Sequence, residues 1–354
     1  VKIAQVAPLH ESVPPRLYGG TERIVAYLTE ELVRAGHEVT LFASGDSVTS
    51  ARLVAPCRRA LRLGREWTDP IIPHLLLLEQ VFSRADEFDI IHLHTDYLHL
   101  PLCRRSPVPT VATMHGRLDL PDIAPLLREY AEMPLVSISD AQRIPVPDAN
   151  WKATVYHGLP RGMYSPGTGR GGYLAFAGRM SAEKRPDLAI QIARRAGMPI
   201  RMAAKVDPAD ARYFDEVVRP LLREPGVEFI GEITDAEKNA FFGDAVGLLF
   251  PIDWPEPFGI VMIEAMACGT PVIAMRRGSV PEVMVHGKTG FIVDTCDEAV
   301  RAVSHLHRIS RAACREEFDA RFTSARMARD YLRVYHQVAV DQGRPPHRRF
   351  RGVA

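Results

Sequence analysis

VGLLFPIDWPEPFGIVMIEAMACGTPVIAM, residues 246–275, is the stretch on which the reading of the chain turns. It opens with a strand-like apolar run, VGLLFP (246–251), and closes with another, PVIAM (271–275). Between them GIVMIEAMAC reads as a helix that Cys268-Gly269-Thr270-Pro271 brings to an end. Strand, helix and strand in this order make a βαβ unit, the building block of a parallel sheet covered by helices. Two carboxylates sit inside the unit: Glu256 just ahead of the helix, and Glu264 within it.

The same alternation continues in both directions. YLAFAG (173–178), PIRMAA (199–204), VEFIG (227–231) and GFIVD (290–294) read as further strands of the second half. In the first half KIAQVAP (2–8), HEVTLFAS (37–44), FDIIHLH (88–94), PTVATMH (109–115), PLVSIS (134–139) and ATVYHG (153–158) play that part. RGMYSPGTGRGG (161–172), rich in Gly and Pro, reads as the linker between the halves. The expected fold class is α/β, with two Rossmann-like parallel-sheet domains over 1–160 and 173–320. A helix over 321–341 is expected to pack back on the first domain, ahead of a flexible basic tail at 342–354. A chain of 354 residues exceeds one comfortable core, which agrees with two domains.

Composition excludes more than it selects. Hydrophobic residues at 46% and charged residues at 25% are ordinary for a globular protein, and a net charge of +1 offers no electrostatic footprint for nucleic acid. Five scattered cysteines with no C-x-x-C pair read as reduced thiols of a cytoplasmic protein. The strand beginning at Lys2 leaves no room for a secretory leader, and IIPHLLLL (71–78) is too short to span a bilayer. Peripheral membrane contact is the most that is expected.

Open α/β sheets bind ligands outside the carboxyl ends of their strands. Gly19-Gly20, His115, Arg179 and Glu256 all follow strands in this way, two in each half, which points to a cleft between facing domains. Arg179 and Lys184, five apart in a loop leading to a helix, suit a diphosphate; the plainer alternative is a solvated basic loop balanced by Glu183. Gly19-Gly20 allows close backbone approach at a helix start, a weak signal alone. It is neither a P-loop nor a G-x-G-x-x-G fingerprint. His115 is either a structural histidine or a hydrogen-bonding group beside a reacting sugar. His92, His94, His99 and His157 also lie near strand ends, and none has metal-ligand spacing with a carboxylate. Glu256 precedes a helix whose first N–H groups lack internal partners, where it can meet sugar hydroxyls. Glu264 suits a ribose diol, or else is a helix glutamate paired with an arginine.

At these residues the sequence resembles the family 4 retaining glycosyltransferases of GT-B architecture, which use nucleotide-activated sugars. EPFGIVMIE carries that family's pair of glutamates at Glu256 and Glu264, and EAMACGTPVIA, GSVPEVMVHGKTGFIV and GRMSAEKRP match the accompanying segments. The resemblance implies a hexosyltransferase of carbohydrate biosynthesis whose N-terminal domain binds an acceptor hydroxyl and whose C-terminal domain binds a nucleotide-diphosphate sugar. It implies catalytic roles for His115, Arg179, Lys184 and Glu256. Donor contacts fall to Gly19, Gly20, Lys205, Ile233, Phe258, Gly259, Ile260 and Glu264. Gly116, YHGLP (156–160) and AAKVDPADARYFDE (203–216) depart from the commoner pattern and, with ESVPPRLYGG (11–20), are closer to a subgroup that includes an avilamycin-type antibiotic transferase.

Such enzymes attack on the face from which the diphosphate departs, its phosphate oxygen serving as base. No D-x-D motif occurs, so neither a metal nor another cofactor is expected, and Arg179, Lys184 and the helix N-terminus take that part. Two other classes stay open: an epimerase or sugar phosphorylase on a similar scaffold, and a non-catalytic nucleotide-sugar-binding protein. Donor base, sugar, acceptor and oligomeric state are not specified by these residues.

Overall fold

A computed structural model describes residues 1–343 apart from Tyr18, Leu63 and Arg65. The expected basic tail lies, from 344 onward, outside the described residues. The chain divides into two compact units, one of residues 1–158 with 324 onward, the other of residues 159–323.

The first unit contains strands β1 (Lys2–Val6), β2 (Glu38–Phe42), β3 (Arg52–Val54), β4 (Ile90–Leu93), β5 (Thr110–Thr113), β6 (Leu135–Ser137) and β7 (Trp151–Thr154). They form one sheet in the order β3-β2-β1-β4-β5-β6-β7, and every pairing is parallel. Helices cover both faces, so β4 and β5 are buried along their whole length. β7 starts two residues earlier than the expected 153–158 because Trp151 packs against the core and pairs with Leu135. β3 escapes sequence reading: it is three residues long, half-exposed at the sheet edge, and has no apolar run. The helix Ser324–Asp341 belongs to this unit, where Tyr331 and Tyr335 are fully buried.

The second unit contains β8 (Leu174–Arg179), β9 (Ile200–Lys205), β10 (Val227–Gly231), β11 (Gly247–Phe250), β12 (Val272–Met275) and β13 (Gly290–Val293), ordered β10-β9-β8-β11-β12-β13 and again parallel. All six were expected from their apolar runs. Residues 161–172, expected as a linker, are instead pinned to this unit. Gly167 N donates to Cys268 O (2.9 Å), Gly169 N to Gly243 O (2.9 Å) and Gly171 N to Asp244 O (2.8 Å). The Arg311 guanidinium gathers the carbonyls of Gly167, Gly243 and Ala245 at 2.8–3.0 Å. A glycine-rich stretch can be ordered when its backbone groups find such partners.

Both sheets reverse direction once. The strand order turns between β1 and β4 in the first unit and between β8 and β11 in the second. At that turn the loops from neighbouring strands diverge to opposite faces and leave a crevice at the strands' carboxyl ends.

Candidate active site

In the second unit the crevice between β8 and β11 gathers most of the expected donor residues. Arg179 ends β8, and its register partner across the sheet is Lys205, which ends β9. The loop after β8 carries Glu183 and Lys184; the loop after β11 carries Asp253, Trp254 and Glu256. Three contacts stitch these loops together. Asp253 N donates to Glu183 O (2.9 Å), Arg185 reaches Asp253 at 3.7 Å, and the Lys184 ammonium pairs directly with the Glu256 carboxylate. Trp254 Nε1 donates to the same carboxylate oxygen at 2.9 Å, and the Lys184 Nζ lies 5.0 Å from the Trp254 ring. Glu256 is buried, so this ion pair is shielded from screening by water.

The other cations here are also paired. Arg179 donates to Glu183 Oε2 (3.2 Å) and its Nε lies 3.0 Å from Asp210 Oδ2. Lys205 Nζ lies 3.0 Å from Asp207 Oδ2. Each cation here already faces a carboxylate, so an incoming dianion would exchange for carboxylates at each cation and keep the hydrogen bonds charge-assisted. Immediately after Glu256, Phe258 is buried, Gly259 takes φ 76° at the N-cap, and Ile260 opens the helix Ile260–Ala267. The first amides of that helix add a partial positive charge beside the cations.

Glu264 stands one turn inside this helix and is buried in a separate ion pair. Its Oε1 accepts from Lys238 Nζ at 2.7 Å and from the Tyr164 hydroxyl at 3.4 Å. Its partner is a lysine, not the arginine the sequence suggested. Lys238 comes from the helix Asp235–Gly243, whose start is fixed by a capping box between Thr234 and Glu237. Ile233 is half-buried in the turn just before that helix. Glu256 and Glu264 therefore face different partners, and no contact joins them among the described residues. Trp254, Tyr164 and Lys238 were not anticipated. Trp254 stands two residues before Glu256, a local signal open to reading, whereas Lys238 and Tyr164 reach Glu264 only through the fold.

In the first unit, Gly19 and Gly20 lie between β1 and the helix Gly20–Arg34, and His115 lies just beyond β5. Gly19 is buried and required by its neighbours: a Cβ there would stand 2.8 Å from Pro15 Cβ. His115 Nε2 is 2.8 Å from His94 Nδ1, and its ring stacks on His157 with centroids 5.3 Å apart. Burial pulls the His115 pKa down to about 3 and takes His92, His94 and His157 well below their ordinary value. His115 is thus a neutral hydrogen-bonding group at physiological pH. Among the described residues, no three His, Cys, Asp or Glu side chains are grouped to hold a metal ion, and no helix is long and apolar enough to cross a membrane.

Comparison with known proteins covers both units. Residues 18–162 match the family model described as Glycosyltransferase Family 4, and residues 168–318 match Glycosyl transferases group 1. The phosphatidyl-myo-inositol mannosyltransferase of Mycobacterium leprae is 26% identical in an alignment spanning 96% of this chain and 97% of that one. Among solved structures, the fold is similar to AviGT4, a glycosyltransferase involved in avilamycin A biosynthesis (TM-score 0.71, 22% identity, 96% of this chain and 98% of that one). It is also similar to HepE of Anabaena in complex with UDP-glucose (TM-score 0.68, 16% identity, 96% and 98%).

Proposed function

We propose a function for a chain that belongs to the group 1 and family 4 glycosyltransferases with the GT-B fold: it transfers a sugar from a nucleotide-diphosphate sugar to an acceptor hydroxyl, with retention at the anomeric carbon. The observation that carries this reading is the direct pairing of Lys184 with Glu256 at the β8/β11 crevice. It holds a phosphate-binding cation and a sugar-binding carboxylate in contact, just ahead of a helix N-terminus. Donor binding exchanges partners: the diphosphate takes Arg179 and Lys184, and the freed Glu256 carboxylate accepts hydrogen bonds from the sugar.

As the anomeric bond breaks, negative charge builds on the departing phosphate, and Arg179, Lys184 and the first amides of Ile260–Ala267 stabilise it. The acceptor hydroxyl enters on the same face and gives its proton to that phosphate oxygen. The reading calls for no second carboxylate and no divalent ion. Glu264 holds the ribose once Lys238 yields, with Lys205 and Ile233 beside the nucleotide. The UDP-glucose held by HepE, a protein of similar fold, supports a nucleotide-sugar donor.

A thermal-shift screen of nucleoside diphosphates and their sugars tests the donor class, because a ligand that binds only the folded state raises its stability. At least one member is expected to stabilise the protein, and none doing so would defeat the proposal. With the selected donor, Glu256→Ala is expected to lower turnover by a factor of roughly 10²–10³ while the fold survives. Full activity in that variant would remove Glu256 from the site. Epimerised nucleotide sugar formed without acceptor would replace the transferase reading.

A further inference from the structure

Beneath His115 lies a run of polar side chains that the proposed chemistry does not itself call for. β1, β4 and β5 are apolar strands, yet Gln5, His92 and Thr113 sit on them fully buried, and His94 follows β4 at 1% exposure. They are joined end to end with two tyrosines of the helix Ser324–Asp341. From the top, His115 Nε2 meets His94 Nδ1 (2.8 Å), and His94 Nε2 meets Gln5 Oε1 (2.9 Å). Gln5 Nε2 donates to the Tyr335 hydroxyl (2.8 Å), which meets His92 Nδ1 (2.8 Å). His92 Nε2 then meets Thr113 Oγ1 (2.7 Å), beside the Tyr331 hydroxyl (2.9 Å).

Such a run has a direction, because each neutral imidazole has one donor and one acceptor nitrogen. Gln5 sets it. Its Oε1 can only accept, so His94 carries its hydrogen on Nε2, and His94 Nδ1 is a bare lone pair. That lone pair can only accept, so His115 carries its hydrogen on Nε2. Below Gln5 the Tyr335 oxygen accepts from the amide, its own hydrogen goes to His92 Nδ1, and His92 donates from Nε2. All three histidines then hold the tautomer that free histidine favours. His115 Nδ1 is left as a buried acceptor with no partner among the described residues. An unmet buried acceptor costs stability and is retained where it has a use.

We infer that this run is a tautomer lock: Gln5, His94 and Tyr335 are positioning residues that hold His115 with its hydrogen on Nε2 and keep its Nδ1 a bare acceptor for a sugar hydroxyl. The second half of that statement rests on the sugar contact that the resemblance implies for His115 and on the nucleotide-sugar reading proposed above. No proton leaves the sugar; Nδ1 accepts a hydrogen bond and so selects a hydroxyl over a group with no hydrogen to donate. The lock also gives the C-terminal helix a place in donor recognition, through Tyr335, without touching the donor.

Nitrogen-15 NMR of the histidine rings tests the lock in the whole wild-type chain. His115 is expected with Nε2 protonated and Nδ1 bare, as a single tautomer; a hydrogen on Nδ1 would overturn the inference. Gln5→Leu is expected to release the run and populate both His115 tautomers. Gln5→Glu, which still accepts from His94, is expected to restore one. A single unchanged tautomer in Gln5→Leu would equally overturn it. UDP and UDP-glucose serve as binding probes by calorimetry. Gln5→Leu and Tyr335→Phe are expected to weaken UDP-glucose about tenfold, the size of one lost hydrogen bond, and to leave UDP within about twofold. Equal loss for both ligands would mark the effect as structural and count against the lock. If wild type binds neither probe while His115 shows the expected tautomer, uridine is not the donor base and the lock stands. Should the variants not fold, the wild-type spectrum alone decides.

Discussion

At the scale of single residues, the proposed site holds its charged groups as ion pairs with one another. Lys184 has a buried carboxylate in hand, so its removal has two effects that can be separated. Lys184→Ala leaves Glu256 buried with the Trp254 indole as its remaining donor described at that carboxylate, and an uncompensated buried charge destabilises by about 3 kcal/mol. It also takes a cation from the departing diphosphate, which is expected to lower kcat/KM by about a further 10²-fold. The double variant Lys184→Ala, Glu256→Gln is expected to recover most of the stability and none of the activity. Thermal unfolding and turnover measured on the same samples would show this, and parallel recovery of both would place the pair outside the chemistry. The glutamates and Lys184 were legible in the sequence because EPFGIVMIE and GRMSAEKRP are local patterns. Lys238 was not, since nothing in DAEKNAFFG tells which of its polar side chains will turn toward Glu264. Tertiary packing decides that choice.

At the scale of elements, the site depends on a loop held by a segment that never enters the chemistry. Ser279 N donates to Glu256 O (3.0 Å) and Ser279 Oγ to Phe258 O (2.9 Å). Gly278 makes the approach possible: it takes φ 50°, and a Cβ there would stand 2.4 Å from both the nitrogen and the oxygen of Glu256. This gives GSVPEVMVHGKTGFIV a physical reason to accompany the two-glutamate stretch. Gly278→Ala is therefore expected to push the Glu256 backbone away, with a loss of roughly 1–3 kcal/mol in stability and a larger loss in donor affinity. Calorimetric titration with the active nucleotide sugar checks it; unchanged affinity would mean that the loop is not set from this side. Secondary structure was easy to anticipate where burial on both faces makes a strand continuously apolar, as in GLLF of β11. It failed where the edge strand RLV is half in water and at 161–172, where composition suggested freedom but Arg311 supplies anchors from far along the chain.

At the scale of the whole molecule, the two units share a strand order but differ in how they respond to protons. Among the described residues, the histidines whose pKa is lowered all lie in the first unit: His10, His74, His92, His94, His99, His115 and His157, each chiefly through burial. A folded-state pKa below the unfolded one means that the unfolded chain binds more protons in the interval between them. Stability from these groups is therefore fully present above about pH 6.5 and falls as the pH drops from there toward about 3, the value His99 and His115 reach. Glu22, pushed up to about 7 by burial, and Asp96, also raised by burial, act in the opposite sense within the same unit. Seven histidines outweigh two carboxyls. The second unit has no histidine of this kind, and its lowered carboxylates, such as Asp187, Asp207 and Glu317, lose their contribution only below the ordinary carboxylate range. Between pH 6.5 and 5 the first unit is thus expected to weaken while the second holds. Hydrogen exchange followed by mass spectrometry at pH 7.5 and 5.0, corrected for intrinsic rates, would report each unit separately. Faster opening of β1, β4 and β5 at the lower pH, with β8, β11 and β12 unchanged, is the expected pattern; the reverse order would mean that the buried histidines are not held neutral.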